Sequence, residues 1–256
     1  MKIYKIMIIF ALCAFLLPKS NAQTFTIDKT VISYENKLRP CFSTEIDPAP
    51  KALQNAWEKY LKKGYRIKMK KSGSDKDVEK GADVMIASIS AKRMDLYSRV
   101  SETATGSQFK VFAAYGYDIY LGDEGYEREL DALERLFRKF LLQYLNQYYT
   151  AEIKQTTKDL KALQKEKIST LKSIRKNEGK ITKTDQNIAT LESTQMTAKG
   201  MDVKTLEKQH KASANKLKFE NQNQEYSIEV QSLTEKATTT EQKLAQLRLK
   251  FSQLNQ

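Results

Sequence analysis

Between Tyr126 and Lys199 the chain has no proline and a single glycine, Gly179. All four prolines lie at or before Pro50. Proline removes a helix donor and clashes with the preceding turn, so its absence leaves this stretch free to form one long helix. In the first part of the stretch, Tyr126, Leu130, Leu133, Leu136, Phe137, Phe140, Leu141, Tyr144, Leu145 and Tyr148 recur at three-and-four spacing. That stripe is wide enough to cover a globular core. Further on it narrows. Ile153, Leu160, Leu163, Ile174, Ile181, Ile188 and Leu191 share one 3-4 register, a seam that fits a single partner helix.

The partner is read from the C-terminal part of the same chain. Val203, Leu206 and Leu217 resume an apolar row. After a phase shift near Leu217 and Phe219 it runs through Tyr226, Val230, Leu233, Ala237, Leu244, Leu247, Phe251 and Leu254. A turn near 197–202, around Gly200, would fold the two arms into an antiparallel coiled-coil hairpin over residues 150–256. Arms of about 50 residues would give a stalk on the order of 75 Å. The competing arrangement is a parallel dimer with Gly200 inside a continuous helix. Asn177, Thr184, Gln195 and His210 fall at seam positions, where a polar group needs a partner and costs apolar burial.

Residues 23–149 read as an α+β head. Thr24 to Tyr34 and Leu38 to Ile46 have strand character, with Pro40 requiring an edge or a bulge. Asp47-Pro48 reads as a helix start for Ala49–Lys63, and Gly64 as its C-cap. Tyr65 to Lys71 alternates, Tyr65, Ile67 and Met69 on one side and Arg66, Lys68 and Lys70 on the other, as in a half-buried strand. Ser72 to Ala82 reads as a loop and Val84 to Ile89 as a central strand. Asp95 to Glu102 and Gln108 to Leu121 complete the set, with a bulge expected at Gly116. The expected order is ββαβββα, one antiparallel sheet with two helices on one face.

The N-terminus predicts export. Lys2 and Lys5 precede the apolar run Ile6 to Leu17, Pro18 breaks it, and Ser20-Asn21-Ala22 offers small residues for cleavage after Ala22. The run is short for a membrane anchor, which needs about 20 residues. Cys13 lies inside it without the small preceding residue of a lipidation site. Cleavage would remove Lys2, Lys5 and Lys19, lowering the net charge from +13 to +10, and leave Cys41 as the single thiol. A single cysteine forms no internal disulfide, so packing must hold such a chain together; Cys41 is expected in the core, with an intermolecular bridge as the alternative. The mature chain is expected to be periplasmic or extracellular, with no membrane span.

Catalytic signatures are sparse. The single histidine, His210, falls in the second arm, away from any sheet. Ser169-Thr170-Leu171-Lys172 and Ser213-Ala214-Asn215-Lys216 match Ser-x-x-Lys, but without companion elements and on narrow-seam helices. Asp75, Asp77 and Glu79 alternate like the start of a calcium loop, yet Lys80 stands where the loop needs glycine. No catalytic, metal or cofactor set is assigned.

Charge remains. The first arm carries eleven basic against six acidic side chains. Candidate contacts to anionic surfaces are Arg66, Lys68 and Lys70 in the head, and Lys158, Lys161, Lys165, Lys172, Arg175 and Lys176 on the first arm. Nucleic acid is a poor partner for an exported protein; anionic envelope polymers or lipid headgroups fit better. The leading expectation is a non-enzymatic exported interaction or scaffold protein with a protein partner, or self-association, through the coiled coil. Binding of anionic envelope surfaces is the alternative, and a hydrolase using carboxylates of the head is the third.

Overall fold

The computed structural model describes residues 25–73, 75–116, 118–197 and 203–255. The leader read at 1–22 and, apart from Thr197, the turn read at 197–202 lie outside these residues. The chain forms two compact units, residues 25–148 with 250–255, and residues 149–249.

The first unit is built on an antiparallel sheet. Its strands are β1 (Asp28–Tyr34), β2 (Lys37–Ile46), β3 (Lys70–Lys71), β4 (Val78–Val84), β5 (Met94–Glu102), β6 (Ser107–Gly116) and β7 (Ile119–Tyr120). Helix α1 (Pro50–Tyr65) follows β2, and the long helix α2 (Glu127–Thr197) follows β7. The strand order is β1-β2-β6-β5-β4-β3, with β7 beside β6. The α+β class expected from the sequence is what the chain adopts.

Strand β6 is covered on both sides. Phe109 and Val111 face the helices, where Trp57 of α1 and Phe137 and Phe140 of α2 meet them. Phe112 and Ala114 face the other way, into a second core with Ile32, Tyr34, Cys41, Val78, Tyr97 and Tyr120. The sheet closes over that side by curling: the Tyr34 hydroxyl on edge strand β1 and the Ser72 hydroxyl beside the opposite edge β3 share a 2.9 Å hydrogen bond. Tyr97 and Phe112 stack between them, 4.7 Å apart and nearly parallel. Cys41 lies in this core, and burial pushes its thiol up to about 11, despite the nearby Lys110 charge. A thiol in that range stays protonated and inert at neutral pH.

Several local expectations are corrected. Helix α1 begins at Pro50 with Ala49 as N-cap, not at Asp47-Pro48. Asp47 instead accepts a 2.6 Å hydrogen bond from Lys250. The helix continues through Gly64, and Arg66 closes it in the left-handed region at φ 60°. Residues 66–69 therefore form no strand; only Lys70 and Lys71 pair with β4. Their alternation holds all the same, since Ile67 is buried and Arg66, Lys68 and Lys70 are exposed. The loop read at 72–82 contains β4, and the apolar run Val84–Ile89 is not a strand beyond Val84. Its Ile86 and Ile89 enter the core from a turn closed by Ile89 N–H to Ile86 C=O at 2.8 Å. Pro40 sits where β2 has only β1 beside it, because pairing with β6 starts at Phe42. Gly116, at φ 88°, marks the expected irregularity between β6 and β7.

The second unit is a pair of antiparallel helices, the later part of α2 and most of α3 (Val203–Leu254). Three side-chain pairs fix the direction: Glu152 to Lys243 at 3.4 Å, Asn177 to Gln222 at 3.3 Å and Asp185 to Lys216 at 2.7 Å. The two helices thus run antiparallel, as the hairpin reading expects. On α2 the half-buried residues follow the seam read from the sequence, but Thr156, Thr170 and Asn177 are among its most buried members. On α3 the expectation fails near the start. Val203, Leu206 and Leu217 are exposed, and Thr205, Gln209, Ala212, Lys216 and Phe219 occupy the half-buried row instead. Lys180 lies 4.6 Å over the Phe219 ring. The row keeps one register through to Leu247, so no phase shift is needed.

Candidate functional site: a basic cleft in the first unit

The segment leaving α1 and the bulged end of β4 enclose a cleft of about 650 Å³. Its lining includes Arg66, Lys68, Lys70, Lys71 and Lys80, against one carboxylate, Asp83. The construction follows from the chain. Arg66 turns the backbone out of the helix, and Ile67 and Met69 then pack over Gly81. A Cβ on Gly81 would come within 2.8 Å of Ile67 Cγ2, so this close approach requires glycine. With Ile67 and Met69 inward, Arg66, Lys68 and Lys70 are turned to solvent.

The cleft's carboxylates are already engaged. Asp83 pairs with Arg93 at 2.8 Å. Asp95, which neighbours the cleft, pairs with Lys80 at 2.7 Å. Burial works to raise the Asp95 carboxyl, but Lys80 and the Asp83 backbone N–H outweigh it and hold it below its ordinary value. Among the described residues, Arg66, Lys68 and Lys70 form no ion pair. Lys70 stands directly opposite Lys80 in the β3–β4 ladder, where Asp95 already offsets the Lys80 charge. Arg66 and Asp83, both lining the cleft, have φ of 60° and 52°. Left-handed backbone at non-glycine residues is costly and concentrates at binding sites.

Arg66, Lys68 and Lys70, singled out from sequence, thus share one cleft. Lys71 and Lys80 were missed, because β4 reads as loop and Lys80 is hidden in a polar stretch. The six basic residues expected on the first arm all lie exposed on α2 in the second unit. Lys158, Lys161, Lys165, Lys172, Arg175 and Lys176 spread over roughly 27 Å of helix, away from the seam. The calcium-like residues diverge: Asp75 pairs with Arg99, while Glu79 is buried under α1 beside Gln54. Lys216 of the second Ser-x-x-Lys match is engaged by Asp185. Among the described residues no cluster of three potential metal ligands occurs, and no helix is long and apolar enough to cross a membrane.

Glu79 borders the cleft through β4 and gives a pH test of its architecture. Burial raises its carboxyl above the ordinary 4.5; the Gln54 carboxamide opposes this and Glu58 reinforces it. A raised folded value means stability present below the unfolded value and lost as pH rises through the folded one. Glu79→Gln fixes the neutral form. Its melting temperature should exceed that of the parent near pH 7, and the difference should close as pH falls toward 4. A destabilised variant near pH 7 would show that the Glu79 charge is accommodated.

No protein-family model, curated protein or solved structure matches this chain.

Proposed function

We propose that the chain is an exported, non-catalytic binding protein whose first unit captures an anionic envelope polymer of acidic-polysaccharide type in the basic cleft. The observation that carries this is the set of three cations, Arg66, Lys68 and Lys70, without ion partners among the described residues, lining one cleft on alternate positions. Three separate cations along one stretch of chain offer several charges side by side, which suits a linear polyanion better than one small ion. The leader read in the sequence supplies the route to the envelope. The outward lysines of α2 add a diffuse field that speeds the approach of a polyanion without defining where it binds.

The mature chain from Gln23 should bind dextran sulfate at low ionic strength and release it as salt rises. Arg66→Glu/Lys68→Glu/Lys70→Glu should weaken binding roughly 100-fold, about 1 kcal/mol for each cation reversed. Reversing Lys158, Lys161 and Lys165 should change it far less. Undiminished binding by the first triple variant would overturn the proposal. So would capture of phosphatidylglycerol vesicles without capture of dextran sulfate, which would put a lipid headgroup in the polymer's place.

A further inference from the structure

A second depression, of about 660 Å³, lies between α1 and the first turns of α2 within the first unit. We propose that it is a binding groove for a short, uncharged, β-linked oligosaccharide. This site is separate from the basic cleft and shares no lining residue with it.

The groove is an outcrop of the aromatic core. Trp57, fully buried, stacks on Tyr60 at 5.9 Å and meets Phe140 edge-on at 4.8 Å. Phe140 in turn stacks on Tyr144, 5.6 Å away and 5° from parallel. Tyr60 and Tyr144 are half-exposed and line the groove. Their rings are held from behind, so they present fixed flat faces at little entropic cost. Burial, and then Tyr148, pushes the Tyr144 phenol up to about 12, so it remains a neutral hydrogen-bond donor at physiological pH.

The rim is the other half of the argument. Asn55 on α1 and Gln143 and Gln147 on α2 are exposed carboxamides at the groove. No hydrogen bond joins any of the three side chains to another described residue. Each can donate and accept at once, as a sugar hydroxyl requires. Lys59 and Lys63, one helical turn apart, add donors along the α1 side. The lining holds no carboxylate, and its only aliphatic side chain is Ala56. A β-linked pyranose chain offers what does fit: flat C–H faces for the tyrosine rings and equatorial hydroxyls for the amides. The volume is within the ordinary range for small-ligand sites, about 300–1,000 Å³.

The single tryptophan provides the readout, since it stacks on Tyr60. Cellotetraose or tetra-N-acetylchitotetraose, both uncharged and therefore silent at the basic cleft, should perturb Trp57 fluorescence and bind by calorimetry. The Arg66/Lys68/Lys70 reversal variant should bind them equally well. Gln143→Ala/Gln147→Ala, two exposed changes that leave the core intact, should weaken binding at least tenfold, and Tyr144→Ala should abolish it. Gly64 offers an independent block: nothing lies within 4 Å of a Cβ there, so Gly64→Gln puts a side chain at the groove without a clash where it leaves the backbone. Absence of binding to both sugars, or unchanged binding by the Gln143/Gln147 double variant and Gly64→Gln, would overturn the proposal and leave that for the basic cleft untouched.

Discussion

Replacing Trp57 with alanine should cost the first unit about 3–5 kcal/mol, the range for a large aromatic removed from a core. The side chain joins α1 to both the sheet and α2. Its ring meets Phe109 of β6 at 5.5 Å and Phe137 and Phe140 of α2 at 6.4 and 4.8 Å. Removing it leaves a void between sheet and helices that these rings, interlocked edge to face, can close only in part. A shift in calorimetric melting on the order of 10–20 °C is expected for a unit of this size. Trp57→Phe is the informative companion. The indole N–H is buried without a hydrogen-bond partner among the described residues, so phenylalanine loses volume but also removes an unsatisfied donor. Its cost should stay below about 2 kcal/mol. A loss below about 1 kcal/mol for the alanine variant would mean that the sheet and α2 hold together without this ring.

Gly106→Ala should be nearly as damaging, although it adds one methyl group. The added Cβ would fall 2.2 Å from the Ile46 carbonyl oxygen and 2.9 Å from the backbone of Asp47. Those are main-chain atoms at the end of β2, so no rotamer change relieves the overlap. The β5–β6 turn is fixed there by Thr103 N–H to Gly106 C=O at 3.0 Å, and the Ser107 hydroxyl donates to Pro48 C=O at 2.5 Å. Separating these strands to admit the methyl should cost about 3 kcal/mol. Gly64→Ala is the control, in open space inside α1, and should gain about 0.5–1 kcal/mol. Denaturant titrations of the two variants should therefore move in opposite directions. Equal midpoints would remove the steric account.

What could be read from the sequence divides along physical lines. The α2 seam from Ile153 to Leu191 was legible because a long helix with one partner must repeat its apolar residues in one register. Strands β5 and β6 were legible because both are long and carry large apolar residues through their middles, Leu96, Tyr97 and Val100 in β5 and Phe109, Val111 and Phe112 in β6. Strand β4 was not: Val78-Glu79-Lys80-Gly81 places a carboxylate under α1 and a lysine beside Tyr97, and neither resembles core. The apolar run after it misled for the converse reason. Val84 to Ile89 has strand composition, but only Ile86 and Ile89 enter the core while Met85 is half-exposed. At the start of α3, Leu206 and Leu217 look like seam residues. The register set farther along at Leu233, Leu244 and Leu247 turns them outward. For the basic cleft, alternation through Arg66, Lys68 and Lys70 pointed to the correct side of the chain even though the segment is no strand. The groove at Tyr60 and Tyr144 carried no sequence signal distinct from core packing, since its tyrosines continue the same stripe.

The interior of the helical pair changes character along its length. Leu233, Leu244 and Leu247 are its buried leucines, all in one half of α3. Toward the other end polar pairs, Asn177 with Gln222 and Asp185 with Lys216, stand among only half-buried apolar residues such as Ile181 and Ile188. A pair built this way should part first at its polar end, with the leucine-filled half opening last.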